Sequence, residues 1–263
     1  MSSLHQSFRP SGDPVSDNVH RDTASLRDGR PQRASSLMRR YEAAALRPDL
    51  TISCKSHVAP ATALFEEAAT AFARGTLIPT VRGPVAIEDL LPGDYVQSSE
   101  GAQPVTWIGS TSYVPGVETG ETTVVQLSRI TADAFGPTRP QADVLVGPAA
   151  RIVLRRSRLK SLIGQERVLV PVADFADGDR IVQVTPASPV QLFHLMLGRH
   201  GTIRVGGIEM ETYHPGKTVT RGLGEPMRAL FLSMFPNIGM MHDFGELTMT
   251  RTTRDVIEGL VTA

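Results

Sequence analysis

The sequence predicts a mostly β protein whose body is made of two related halves, flanked by short helices on its N- and C-terminal sides. Three observations carry this reading. Between residues 75 and 213, short aliphatic runs recur between turn signals, the spacing of a sandwich or barrel-like body. Aromatic residues are only 5% of the chain while glycine and proline number 23 and 19, which favours aliphatic strands and tight loops over a helical bundle. A strand–turn–strand unit also occurs twice. No helical pattern alternates with the strands, which argues against a parallel α/β sheet.

The elements follow in order. Residues 1–35 are rich in Ser, Arg, Asp, Gly and Pro; so polar a stretch buries too little surface to offset ordering, and a disordered leader is expected. Arginine is frequent there and just beyond (Arg21, Arg27, Arg30, Arg33, Arg39 and Arg40), interleaved with Asp13, Asp17, Asp22 and Asp28. That fits a solvated leader better than a tail for an acidic partner. Residues 36–70 are expected to form a helix–strand–helix extension. Leu37, Met38, Tyr41, Ala45 and Leu46 share a helical face, and Pro48 stops that helix. Residues 50–58 alternate like a strand and carry Cys54, expected as a small core residue. A second helix is expected over residues 61–74. Leu64, Phe65, Ala68, Ala69 and Phe72 form its stripe, Glu66 and Glu67 its wet side, and Gly75 its cap.

Strands are then expected at residues 77–78, 85–87, 95–96, 104–108, 123–127, 144–146, 152–154, 168–172, 181–184, 190–197 and 203–205. Residues 85–96 align with residues 170–181 at an offset of 85. Both copies run apolar strand, Asp-apolar (Asp89-Leu90, Asp174-Phe175), a Gly-Asp turn (Gly93-Asp94, Gly178-Asp179) and a second apolar strand. Gly-Asp is generic turn chemistry, but the shared order favours duplication and a pseudo-two-fold body. Beyond residue 217 a C-terminal helical extension is expected, with helices over residues 227–235 and 253–261 packed on the body.

Composition narrows function. Lys+Arg and Asp+Glu are 27 each, for zero formal charge. That argues against bulk nucleic-acid binding and a polybasic membrane anchor. One cysteine excludes a disulfide framework and any zinc site built on several thiolates. No run reaches the roughly 18 apolar residues of a membrane span. The polar start shows no signal-peptide core, so a cytoplasmic location is expected, with non-classical export as an alternative.

Phe72-Ala73-Arg74-Gly75-Thr76-Leu77-Ile78, followed by residues 83–94 with Glu88-Asp89-Leu90-Leu91-Pro92-Gly93-Asp94, resembles the opening of the bacterial Hint (Hedgehog/intein) domain, a self-processing module. Trp107-Ile108-Gly109 resembles the family's next strand. Gly147-Pro148-Ala149-Ala150-Arg151 is similar to the block that usually reads Ser-Pro-x-His-Arg. Phe193-His194-Leu195, Arg199-His200 and Tyr213-His214-Pro215-Gly216 are similar to the closing segment. The resemblance covers residues 71–216 and implies a Hint-like pseudo-two-fold β horseshoe.

It also implies where the chemistry has gone. Cleaving members carry a Cys, sometimes Ser, just before the phenylalanine of the opening motif. That group attacks the preceding carbonyl, a step that needs a lone pair in reach and a group that polarises the peptide. The matching residue here is Ala71, and the motif histidine falls at Ala150. The catalytic set is therefore empty, and a vestigial site is expected from Ala71, Thr76, Gly147, Ala150, His194 and His200. Thr70 and Thr76 have hydroxyls outside the matching position. Splicing needs a terminal His-Asn, which is absent: the asparagines are Asn18 and Asn237.

His194, His200 and His214 with Glu209 and Glu211 do not have a recognised metal-ligand spacing, and backbone-bonded histidines are the simpler reading. Arg155, Arg156, Arg158 and Lys160 form a basic run, read as a solvated loop without aromatics to stack bases. No cofactor motif is present. The expected function is a self-cleavage-inactive Hint protein serving as a binding or scaffold module for a protein partner. The alternative is an autoprocessing enzyme with a hydroxyl nucleophile.

Overall fold

A computed structural model describes residues 37–117, 122–216, 219 and 221–262; the expected leader lies outside them. The chain starts with a hairpin of β1 (Met38–Leu46) and β2 (Ile52–Pro60) and a one-turn helix α1 (Ala63–Glu66). The first half of the body follows: β3 (Phe72–Ala73), β4 (Leu77–Thr80), β5 (Gly83–Ala86), β6 (Tyr95–Ser98) and the long β7 (Gly101–Tyr113). The second half has β8 (Leu127–Ile130), β9 (Val144–Val146), β10 (Arg151–Arg155), α2 (Ser157–Ile163), β11 (Arg167–Pro171), β12 (Ile181–Val184), β13 (Val190–Leu197), β14 (Thr202–Val205) and β15 (Ile208–Glu211). The last segment has α3 (Glu225–Ser233), β16 (Thr250–Arg251) and α4 (Arg254–Thr262).

The strands form one continuous sheet in the order β12-β8-β9-β3-β13-β7-β6-β14-β15-β10-β11-β16, with β4 and β5 branching from β6 and the β1–β2 hairpin from β7. The mostly β class and the two-halves reading hold. Leu77 pairs with Ala86 in the first half, and Arg151 with Pro171 in the second. The next rung matches as well: Ile87 N donates to Thr76 O at 2.9 Å, and Val172 N donates to Ala150 O at 3.0 Å. Both 87-to-172 and 86-to-171 keep the offset of 85. Each copy then makes a 3-10 turn, Ile87–Asp89 and Val172–Phe175. Each passes a glycine in the left-handed region, Gly93 (φ 101°) and Gly178 (φ 78°), where only glycine is unstrained.

Several expectations need correction. Residues 38–46 are a strand rather than part of the helix expected over 36–47: β1 alternates, with Tyr41, Ala43 and Ala45 buried and Arg40 and Glu42 exposed. Ala, Arg, Glu and Leu favour helix, but pairing with β2 over nine residues and with β7 over Tyr41–Ala45 outweighs that preference. The same alternation places Ser53 and Ala59 inward and Cys54 on the exposed face, so Cys54 is not a core residue. The helix expected over residues 61–74 stops after one turn. Residues 72–73 are a strand, and Glu66 is fully buried rather than wet. The strand expected at 123–127 begins at Leu127, and the basic run after β10 opens helix α2 rather than a loop.

The body's core gathers Phe72, Ile78, Val105, Val146, Ile152 and Leu195 with other aliphatics. A separate aromatic core joins the hairpin to the C-terminal segment: Tyr41, Phe65, Trp107, Tyr213, Phe231, Phe235 and Phe244 pack together. The expected C-terminal helices are present as α3 and α4, and both pack on the body, α4 through Ile257 against Val168 and Val170.

Candidate functional site

Ala71 sits at the centre of the body, fully buried, just before β3. The peptide that joins it to Thr70 is held on every side. Ala71 N donates to Phe193 O on β13 at 2.9 Å, and Ala149 N donates to Thr70 O at 3.2 Å. Gly147 N donates to Ala71 O at 3.0 Å. The short β3–β9 ladder, with Phe72 opposite Val146, brings residues 147–150 to this peptide. Gly147 is required by space: a Cβ there would lie 2.1 Å from Thr70 O and 3.0 Å from Thr70 C. Ala150 closes the turn, its N donating to Gly147 O at 3.1 Å, and is 2% exposed.

Ala71, Gly147 and Ala150 therefore lie together. His194 joins them through Phe72, whose ring meets the imidazole edge-on at 5.7 Å. Burial pushes the His194 pKa down to about 3, and Leu195 N donates to its Nδ1 at 3.1 Å. The ring is thus neutral with its proton on Nε2. Thr76 lies apart in the turn after β3, and its Oγ1 donates to Ala73 O at 2.7 Å. Thr70 Oγ1 donates to Glu66 O at 2.8 Å. Both hydroxyl protons are committed to backbone carbonyls.

His200 belongs to a buried charged network beside this site. Its Nε2 donates to Glu211 Oε1 at 3.0 Å, while its Nδ1 accepts from Thr248 N at 3.2 Å. Glu211 also takes Arg251 Nε at 2.9 Å and Arg151 Nη1 at 3.4 Å. Burial alone would raise the Glu211 pKa, but the His200 hydrogen bond and the two arginines outweigh it and leave it at about 2. Arg151 continues to Glu67 at 3.0 Å. His214 accepts from Gly216 N at Nδ1 (2.9 Å) and donates to Gly245 O from Nε2 (3.1 Å); burial lowers its pKa. Glu209 turns to Arg167 and Arg204 instead. The five residues considered for a metal are thus held by arginines and backbone, and no metal-holding group of His, Cys, Asp and Glu is found among the described residues.

The sequence reading missed the partners in this network. Arg151, the last residue of the Gly147–Arg151 block, is the available signal. Glu67 looked like a solvated helix face, and Arg251 had no local pattern around it. It also missed Glu66, whose carboxylate accepts from Thr122 Oγ1 (2.6 Å), Thr123 N (2.5 Å) and Thr123 Oγ1 (2.7 Å), with Arg39 Nε at 3.3 Å.

The C-terminal segment walls the site. Trp107 Nε1 donates to Met234 O at 2.7 Å. Tyr213 stands edge-on to His194 at 5.3 Å and is stacked by Phe235 at 5.5 Å. Phe244 closes the row, 4.9 Å from Phe235. The site is a seated, fully bonded peptide in an apolar surround, with a neutral histidine nearby and no polar side-chain atom at either of its two central positions.

A family profile described as Hint domain matches residues 70–217. No curated protein matches the chain. Among solved structures, the chain is similar to a bacterial intein-like domain from Clostridium thermocellum at 18% identity and a TM-score of 0.36, over 55% of this chain and 99% of that one. It is also similar to the gp41-1 intein at 12% identity and a TM-score of 0.33, over 55% and 99%. A third is the MchDnaB-1 intein, at 12% identity and a TM-score of 0.30, over 54% and 100%. No helix among the described residues is long and apolar enough to cross a membrane.

Proposed function

We propose, from the premise that this chain belongs to the Hint domain family, that it is a member without self-cleavage and works as a binding or scaffold module. The observation that carries the reading is Ala71. An acyl shift needs a nucleophile within reach of the preceding carbonyl, and a methyl group has no lone pair. Ala150 removes a second part of the same machinery, since it can neither donate nor accept a proton. What remains is the frame. The Thr70 carbonyl still takes the Ala149 N–H, a donor of the kind that stabilises developing charge on such an oxygen, but nothing attacks it. The alternative, autoprocessing through a hydroxyl, has Thr70 and Thr76 as its candidates. Both donate their protons to backbone carbonyls, with no base bonded to either.

The test is intact mass. Purified protein incubated with hydroxylamine or excess thiol, which intercept esters and thioesters, is expected to keep its full mass. A fragment beginning at Ala71 would refute the reading and favour autoprocessing. Ala71→Cys with Ala150→His is expected to return traces of thiol-dependent cleavage, and either change alone much less, because such residues act as a unit.

A further inference from the structure

We propose that the cleft between α4 and the loop leading from β11 into β12 docks an acidic, extended protein segment that buries one apolar side chain. The proposal rests on the reading of the chain as a binding module and names the chemistry of its partner. The cleft holds about 620 Å³, with Phe135, Phe175 and Ile257 towards its floor and Arg156, Arg180 and Arg254 around it. Ile257 is 4% exposed, while Arg156 and Arg180 are exposed.

The charges at this cleft are unevenly used. Its two carboxylates are already engaged. Asp177 Oδ1 accepts from the backbone N–H groups of Asp179, Arg180 and Ile181 at 2.8–3.0 Å. Glu258 accepts from Arg254 Nε at 2.6 Å, and Arg254 also lies over the Phe175 ring at 5.6 Å. Arg156 makes no ion pair among the described residues and spends one N–H on the Arg155 carbonyl. Arg180 is close enough to Asp177 to help the backbone N–H groups hold its carboxyl below the usual range, but makes no close ion pair with it among the described residues. In a chain of zero net charge, exposed guanidinium groups around a recessed apolar floor are complementary to carboxylates flanking an apolar anchor. Arginine matches carboxylate geometry through its planar fork of donors, and arginine clusters are a recurring means of reading acidic motifs. A protruding side chain reaches such a recessed floor. A flat lipid surface does not.

The experiment uses the full chain and a short fluorescein-labelled peptide in which aspartates and glutamates flank a Leu-Phe pair, followed by anisotropy. Binding is expected that weakens with added salt. Replacing the Leu-Phe pair with Ser-Ser, or the acidic residues with their amides, is expected to abolish it. Arg156→Glu with Arg180→Glu is expected to weaken binding by about tenfold or more, since like charges at a rim oppose approach. Arg74→Glu with Arg204→Glu changes net charge equally at another cleft and is expected to leave binding unchanged. The proposal is overturned by no binding, by equal loss in both charge variants, or by equal binding of the Ser-Ser peptide. Tighter arginine-dependent binding of anionic phosphatidylglycerol vesicles or a single-stranded oligonucleotide overturns it too. Intact mass on the same samples reports separately on cleavage at Thr70–Ala71, so failure of the docking site is distinguishable from failure of the inactive-module reading.

Discussion

Gly147→Ala tests whether the Thr70 carbonyl is seated as described. The new methyl carbon would lie 2.1 Å from Thr70 O, 3.0 Å from Thr70 C and 3.3 Å from Leu192 Cδ1. The leucine tip can give way. The carbonyl cannot, because it is backbone and because it accepts from Ala149 N. Overpacking against a rigid core costs about 1–3 kcal/mol, and losing the buried hydrogen bond adds about 1 kcal/mol. The expected destabilisation is therefore about 3 kcal/mol, a fall in Tm of roughly 10 °C for a chain of this size. Trp107 is the only tryptophan and is fully buried, so urea unfolding followed by its fluorescence gives a clean signal. Gly198→Ala serves as control, since its Cβ would meet only Gln103 Oε1 at 3.7 Å and should cost under about 1 kcal/mol. A Gly147→Ala variant as stable as that control would refute the seating of the Thr70 peptide, and with it the geometry of the site.

Three further outcomes follow from the same structure. His194 has its pKa lowered to about 3 by burial, so below about 6.5 the unfolded chain takes the proton first and stability falls as pH drops, by at most about 5 kcal/mol down to pH 3; His194→Gln should flatten urea-midpoint profiles between pH 6.5 and 4.5, and an unchanged slope would contradict this. Glu211, lowered to about 2, contributes stability present above its ordinary value and lost as pH falls towards 2, and Glu211→Ala, which strands Arg151 and Arg251, should cost about 3–5 kcal/mol at pH 7 in the same assay. Gly259 lies inside α4 with nothing within 4 Å of its Cβ position, so Gly259→Ala should raise stability by about 0.5–1 kcal/mol, measured as a higher thermal midpoint.

The body was legible because its signals are local. Strand runs, Gly-Asp turns and the offset of 85 each rest on contiguous residues, and the two left-handed glycines sit where the aligned turns placed them. Ala71, Gly147 and Ala150 could be named from motif positions, and the β3–β9 ladder brings them together. The failures share one cause. Residues 36–47 read as helix because Ala-rich sequence satisfies both periods, and pairing with β2 and with the distant β7 decides between them. Glu66 and Glu67 read as wet because nothing near them in sequence announces Thr122, Thr123, Arg39 or Arg151. The charged network around Glu211 draws on residues 67, 151, 200, 211, 248 and 251, and no spacing rule links positions gathered only by the closed fold.

The same long-range pairing bears on what cleavage could accomplish in this chain. In a self-cleaving module the segment before the nucleophile is the part set free. In this chain that segment is part of the wall: β1 adds to β7 over Tyr41–Ala45, and Tyr41 and Phe65 are fully buried in the core that holds Trp107 and Phe235. Removing either ring alone should cost about 3–5 kcal/mol. Two separately expressed pieces, 36–70 and 71–263, should therefore assemble when mixed and co-elute as one species with Trp107 buried. The larger piece alone should expose β7 and the Trp107 cluster, bind hydrophobic dyes and aggregate. If it instead stays monomeric, with the unfolding midpoint of the intact chain, residues 36–70 are a dispensable passenger. The alanine at position 71 would then owe nothing to any need to keep the segment in front of it attached.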